Sequence, residues 1–153
     1  MPSAKSTASS EVWRALLIAF TTIYHELSTE MEGGVGVAME DYEVLLILYG
    51  AGSDGLRPSE IAANRRLSRS GATRLVDRLE RDGLVQREDC TADGRGSVVV
   101  LSKQGRNTFV KAGRLHLDGI ERHVGSQLSV SEAGQLRQLL DKVTADRPDS
   151  ADD

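Results

Sequence analysis

Residues 84–101 read as the β-structure of this chain, and they follow directly on its most sharply two-faced helix. Leu84-Val85-Gln86-Arg87 is a short strand, and Ser97-Val98-Val99-Val100-Leu101 is a β-branched return. Between them, Asp89 to Gly96 is rich in turn formers, with Asp93-Gly94 near its centre. In the preceding segment Ala72, Leu75, Val76 and Leu79 fall at i, i+3, i+4 and i+7, which places them on one helical face. Arg69, Ser70, Thr73, Arg74, Asp77, Arg78 and Arg81 fill the opposite face. Ser68 reads as the N-cap and Asp82-Gly83 as the end of this helix. A helix that must bury one face, joined through glycine to a hairpin, confines the chain to a mainly α fold with one small β element.

The remaining segments are helical by pattern. Residues 1–10 and 147–153 read as disordered tails around a structured region at 11–146. A first helix starts near Ser10 and stops by Gly33-Gly34, with Val12, Leu16, Ala19, Phe20, Ile23 and Leu27 as its stripe. Trp13, Leu17 and Tyr24 widen that stripe, and the first and last of these side-chain types suit a core or a contact between chains. A second helix runs from about Met39 to Leu48, with Glu40, Asp41 and Glu43 at its positive end. Pro58 opens a short third helix ending near Asn64, and Arg65-Arg66-Leu67 links it to Ser68. Ser102 caps a helix reaching about Gln127, weakened by Gly105, Gly113, Gly119 and Gly125 at about 1 kcal/mol each. A last helix starts near Ser129 or Ser131, and Leu136, Leu139, Leu140 and Val143 form its stripe.

Charge is distributed unevenly. The chain has 153 residues and a formal charge of −4. Residues 57–106 carry eleven basic and seven acidic residues, a surplus of four, so the rest of the chain stands at −8. An acidic protein that gathers its positive charge around one helix and hairpin has a local nucleic-acid footprint. The order helix, helix, short link, helix, hairpin at 39–102 is that of a winged helix-turn-helix. In such a domain the second helix of the turn motif enters the DNA major groove. Ser68, Arg69, Ser70, Thr73 and Arg74 suit base edges, since arginine grips guanine with two hydrogen bonds and short hydroxyls approach closely. Arg78 and Arg81 lie nearer the phosphates. Arg95 at the hairpin tip suits the minor groove, with Asp93 placed to orient it.

These residues resemble the MarR family of bacterial transcriptional regulators. The carrying stretches are Leu67-Ser-Arg-Ser-Gly-Ala-Thr-Arg-Leu-Val-Asp-Arg-Leu-Glu-Arg-Asp-Gly-Leu-Val-Gln-Arg87 and Asp93-x-Arg95-x-x-x-Val99-x-Leu101-Ser102, with Gly105-Arg106 beyond. The resemblance covers about residues 10–145. It implies a homodimer through helices at 11–30, 103–127 and 131–146. It also implies a double-stranded, pseudo-palindromic operator and release of a repressor by a small aromatic or phenolic effector. An activator of the same family and a winged-helix module that binds protein remain alternatives. The peroxide-sensing branch uses a cysteine near the N-terminal helix, and Cys90 in the wing does not match it. Cys90 reads instead as a surface thiol.

Enzymatic chemistry finds little support. There is no carboxylate pair, nucleophile–base set or phosphate loop, and no cofactor or metal site is expected. His25-Glu26 opens like a zinc-protease motif, but Thr29 stands where the second histidine belongs. His116 and His123 share a helix face and suit packing or an interface. The longest apolar runs fall far short of the ~20 residues that span a bilayer. With one cysteine and no signal-like N-terminus, a cytoplasmic protein without membrane contact is expected. If the wing meets DNA, Arg95→Ala weakens binding and lowers the salt slope by about one, and unchanged binding by titration would remove the wing from the interface.

Overall fold

A computed structural model describes residues 4–89 and 96–145, with side chains described from residue 7 onward. Cys90, Asp93 and Arg95 lie outside the described residues. The elements follow as α1 (Ala4–Val35), α2 (Met39–Ala51), α3 (Pro58–Asn64), α4 (Arg69–Arg81), β1 (Val85–Asp89), β2 (Ser97–Leu101), α5 (Lys103–His123), a 3-10 turn at Gly125–Gln127 and α6 (Val130–Thr144). This is the mainly helical chain with one hairpin that the sequence predicts. It divides into two compact units after His116.

The first unit is built on two apolar clusters. Leu45 and Leu48 of α2, Ile61 of α3, Val76 and Leu79 of α4, and Val85, Val99 and Leu101 of the hairpin are buried together. Burying each of these large side chains contributes about 1.5–3 kcal/mol. The hairpin pairs antiparallel in register from Val85 with Leu101 to Asp89 with Ser97. Leu56 adds a bridge that the sequence pattern does not predict. Its N–H donates to the Val99 carbonyl at 3.0 Å, and the Val99 N–H donates back at 2.8 Å. A lone extended residue between Gly55 and Arg57 has no alternation to reveal it.

The second cluster joins Leu27 and Met31 of α1 to Tyr42 of α2 and Ala112 of α5. Aromatic rings continue it. Phe109 stacks on Tyr42 at 5.7 Å and on Tyr49 at 4.5 Å, and His116 meets Tyr42 at 5.1 Å. Burial pushes the His116 pKa down, and its buried Nδ1 has no hydrogen-bond partner among the described residues. His116 is therefore a packing ring that stays neutral near physiological pH.

Several boundaries differ from the sequence reading. Residues 4–10 belong to α1 and are not a tail, so Ser10 is not its cap. No glycine or proline interrupts 4–10, and Ala4, Lys5 and Ala8 favour helix. α1 also continues through Gly33-Gly34. A Cβ at Gly34 would lie 2.6 Å from Cδ2 of Leu115, so this glycine permits close packing and does not end the helix. The helix ends before Gly36, which has φ 71°. α2 runs past Leu48 to Ala51, and α5 stops at His123, where the chain tightens into the 3-10 turn before Gln127. Ser129, not Ser131, caps α6: its hydroxyl accepts from the Glu132 N–H at 3.3 Å, and the Glu132 carboxylate accepts from the Ser129 N–H at 2.8 Å.

Gly105 shows why a poor helix former stands in the first turn of α5. A Cβ there would lie 1.8 Å from the Leu84 carbonyl oxygen. Ser102 fixes that approach. Its N–H donates to the same carbonyl at 3.1 Å, its hydroxyl donates to Gly83 O at 2.6 Å, and its oxygen caps the Gly105 N–H at 2.9 Å. Helix propensity alone makes Gly105→Ala stabilising by about 1 kcal/mol. The contact with Leu84 reverses the sign, and urea unfolding should show a loss of about 1–3 kcal/mol. A stabilised variant would contradict this packing.

Candidate nucleic-acid interface

α4 is placed by the chain on either side of it. Pro58 sits in the first turn of α3, and the Glu60 carboxylate accepts the Arg57 N–H at 2.6 Å. The turn after α3 closes when the Leu67 N–H donates to the Ala62 carbonyl at 2.9 Å. Within it Arg66 has φ 50°, where every other positive φ among the described residues belongs to glycine. Such a conformation costs an L-residue about 1–2 kcal/mol. Ser68 then caps α4 as the sequence predicts, its hydroxyl accepting from the Gly71 N–H at 3.1 Å. Gly83, with φ 73°, ends the helix turn and passes the chain to β1.

With Ala72, Val76 and Leu79 buried, the opposite face of α4 is turned to solvent. Arg69, Ser70, Thr73 and Arg74 are all exposed on it. The hydroxyls are less available than the sequence suggests. Thr73 donates its proton to the Arg69 carbonyl at 2.9 Å, and Ser68 and Ser70 share a hydrogen bond at 3.2 Å. Their oxygens remain acceptors. Asp93 and Arg95, the other residues singled out, lie outside the described residues.

The arginines fall into two groups. Arg78 of α4 pairs with Asp41 in the first turn of α2, and Arg65 pairs with Glu43. Arg87 of β1 pairs with both Asp77, at 2.5 Å, and Glu80 of α4. The hydrogen bond to Asp77 leads the influences that raise the Arg87 pKa. These three cations tie α2, α3 and β1 to α4 or to one another. Among the described residues, no ion pair engages Arg66, Arg69, Arg74 or Arg81. Sequence reading missed the division because the partners lie far apart in the chain, 37 residues for Asp41 and Arg78. The acids of α2 were legible only as partners of its helix dipole.

Between α2 and α4 lies a cleft of about 220 Å³ lined by Glu40, Arg65, Leu67, Gly71, Leu75 and Arg78. Among the described residues, no group of three or more His, Cys, Asp or Glu is arranged to hold a metal ion, and no helix is long and apolar enough to cross a membrane.

Comparison with known proteins places this geometry. Residues 35–96, from before α2 into the hairpin, match the MarR family. The HTH-type transcriptional regulator PrsX of Escherichia coli is 36% identical over 77 residues, 50% of this chain and 46% of that protein. The chain thus spans about half the length of that relative. The HTH-type transcriptional repressor YetL of Bacillus subtilis (strain 168) is 29% identical over 94 residues, 60% of this chain and 56% of that protein. AbsC, a MarR family transcriptional regulator from Streptomyces coelicolor, superposes with a TM-score of 0.78 at 27% identity, covering 94% of this chain and 95% of its own. A second Streptomyces coelicolor regulator of this family, solved in complex with DNA, gives a TM-score of 0.81 at 27% identity, covering 99% and 94%. With its helix-turn-helix matched in sequence and nearly its whole length matched in fold, the chain is similar to winged helix-turn-helix proteins of the MarR family and shares their fold.

Proposed function

We propose that this chain is a sequence-specific DNA-binding transcriptional regulator and not an enzyme. In this reading it is a cytoplasmic homodimeric repressor of a pseudo-palindromic operator. The observation that carries it is the exposed face of α4, where Arg69 and Arg74 have no carboxylate partner among the described residues, beside a hairpin rooted on the same helix. Arginine presented on a rigid helix supplies both charge for phosphates and a planar fork for guanine. Ser68, Ser70 and Thr73 join them as acceptors. Arg78 keeps donors beyond its bond to Asp41, and Asp93 and Arg95 extend the contact into the wing.

Exposed apolar side chains support the homodimer. On α1, Trp13 is 65%, Ile18 56% and Phe20 64% exposed. On α6, Leu139 is 60% and Val143 56% exposed. Large apolar side chains exposed on each of these helices support an association site, and a two-fold pair of chains would set its α4 helices about one DNA turn apart (~10 bp). The cleft between α2 and α4, lined by Glu40, Arg65 and Arg78 together with Leu67 and Leu75, supports release by a small aromatic or phenolic effector. Such an effector acts only through unequal affinity for the DNA-competent and incompetent states.

Sheared genomic DNA incubated with the purified protein at near-physiological salt, then sequenced, tests the reading. Enrichment of a few fragments sharing an inverted repeat is expected. On the enriched site Arg74→Ala should cost about 1–3 kcal/mol, with a much smaller loss on random duplex. Recovery of DNA with no shared motif would overturn sequence-specific regulation and favour a protein-binding module.

A further inference from the structure

We infer that Arg66, in the turn between α3 and α4, is a phosphate-binding residue of the interface, kept there for its charge at the expense of backbone strain. The inference rests on the DNA-binding reading above and adds a residue that neither the sequence pattern nor the helix face identifies. Three observations converge on it. Among the described residues, positive φ occurs at Gly36, Gly52, Gly55, Gly83 and Gly96, and otherwise only at Arg66, with φ 50°. Wherever else the backbone needs this conformation, the chain uses the residue that adopts it without a steric penalty. The conformation itself closes α3, where the Leu67 and Arg66 N–H groups donate to the Ala62 and Ala63 carbonyls; what needs a reason is an arginine in place of glycine there.

The side chain supplies that reason. Arg66 is exposed and makes no ion pair among the described residues, whereas its neighbour Arg65 is bound to Glu43. Among the described residues no side-chain hydrogen bond or ion pair uses the Arg66 guanidinium, so packing does not account for the arginine. Its backbone does serve the turn, since the Arg66 N–H donates to the Ala63 carbonyl at 3.2 Å, but any residue except proline makes that bond.

Position selects the ligand. Arg66 stands two residues before the N-cap of α4, the helix end that carries partial positive charge. Arg69, which also has no ion pair among the described residues, lies three residues on. A guanidinium at the mouth of the turn lies beside the groove-facing helix, not on it, which is where a duplex presents its backbone. The ligand is therefore a DNA phosphate and not a base edge.

Because strain and function oppose each other here, one substitution separates them. Arg66→Gly removes the charge and relieves the strained backbone together. Purified wild-type, Arg66→Gly and Arg66→Lys proteins are compared by urea unfolding and by titration against the enriched duplex and a random duplex over a salt series. Arg66→Gly should unfold at the same or a higher urea midpoint. It should also bind both duplexes several-fold more weakly, with a log–log salt slope shallower by about 0.9 per chain engaged. Arg66→Lys should retain the wild-type slope. Wild-type affinity and slope in Arg66→Gly would overturn the inference alone, as would a loss confined to the enriched duplex, which would mean base reading. A wild-type protein that binds neither duplex would overturn the DNA-binding reading as well.

Discussion

The burial of one side of α4 organises the interface. Ala72, Val76 and Leu79 enter a core shared with Leu45 and Leu48 of α2, Ile61 of α3 and Val85, Val99 and Leu101 of the hairpin. Because the helix is anchored from three directions, its opposite face has one orientation in the unit. An arginine on a loose helix loses rotational freedom when it binds, and one on a fixed helix loses less. The same core holds the root of the wing, since β1 leaves α4 through Gly83 and pairs with β2, which Leu56 also grips.

Ion pairs divide the positive charge of the central segment into two kinds. Arg65, Arg78 and Arg87 meet carboxylates of α2 or α4 and hold the elements in register. Partly exposed pairs of this kind contribute little each, of the order of 0–1 kcal/mol. Their value here is geometric: Arg87, held by Asp77 and Glu80 together, couples β1 of the hairpin to α4. Arg66, Arg69, Arg74 and Arg81 have no such partner among the described residues and remain available to phosphate or base.

The helices and hairpin of the winged region were legible because each has a strong local signal. The i, i+3, i+4, i+7 spacing of Ala72, Leu75, Val76 and Leu79, the Ser68 cap and the β-branched run at 97–101 each fix an element without tertiary help. Glycines misled where they serve packing. Gly34 reads as a helix stop and Gly105 as a weak point, yet each admits a neighbour that a Cβ would exclude, Leu115 in one case and the Leu84 carbonyl in the other. The polar face of α4 was legible as a face, but which arginines are engaged inside the protein was not. That depends on pairs such as Glu43 with Arg65, which no spacing rule connects. The strained φ of Arg66 leaves no trace in the sequence at all.

The central claim is that the protein meets DNA through the turn, the exposed face of α4 and the hairpin. Backbone amide exchange, followed with and without the enriched duplex, tests it most directly. Slowed exchange concentrated at residues 66–74 and in the strands at 85–89 and 97–101, with α6 unchanged, is the expected result. Protection on α6 without change at the start of α4, or no change on adding DNA, would contradict it.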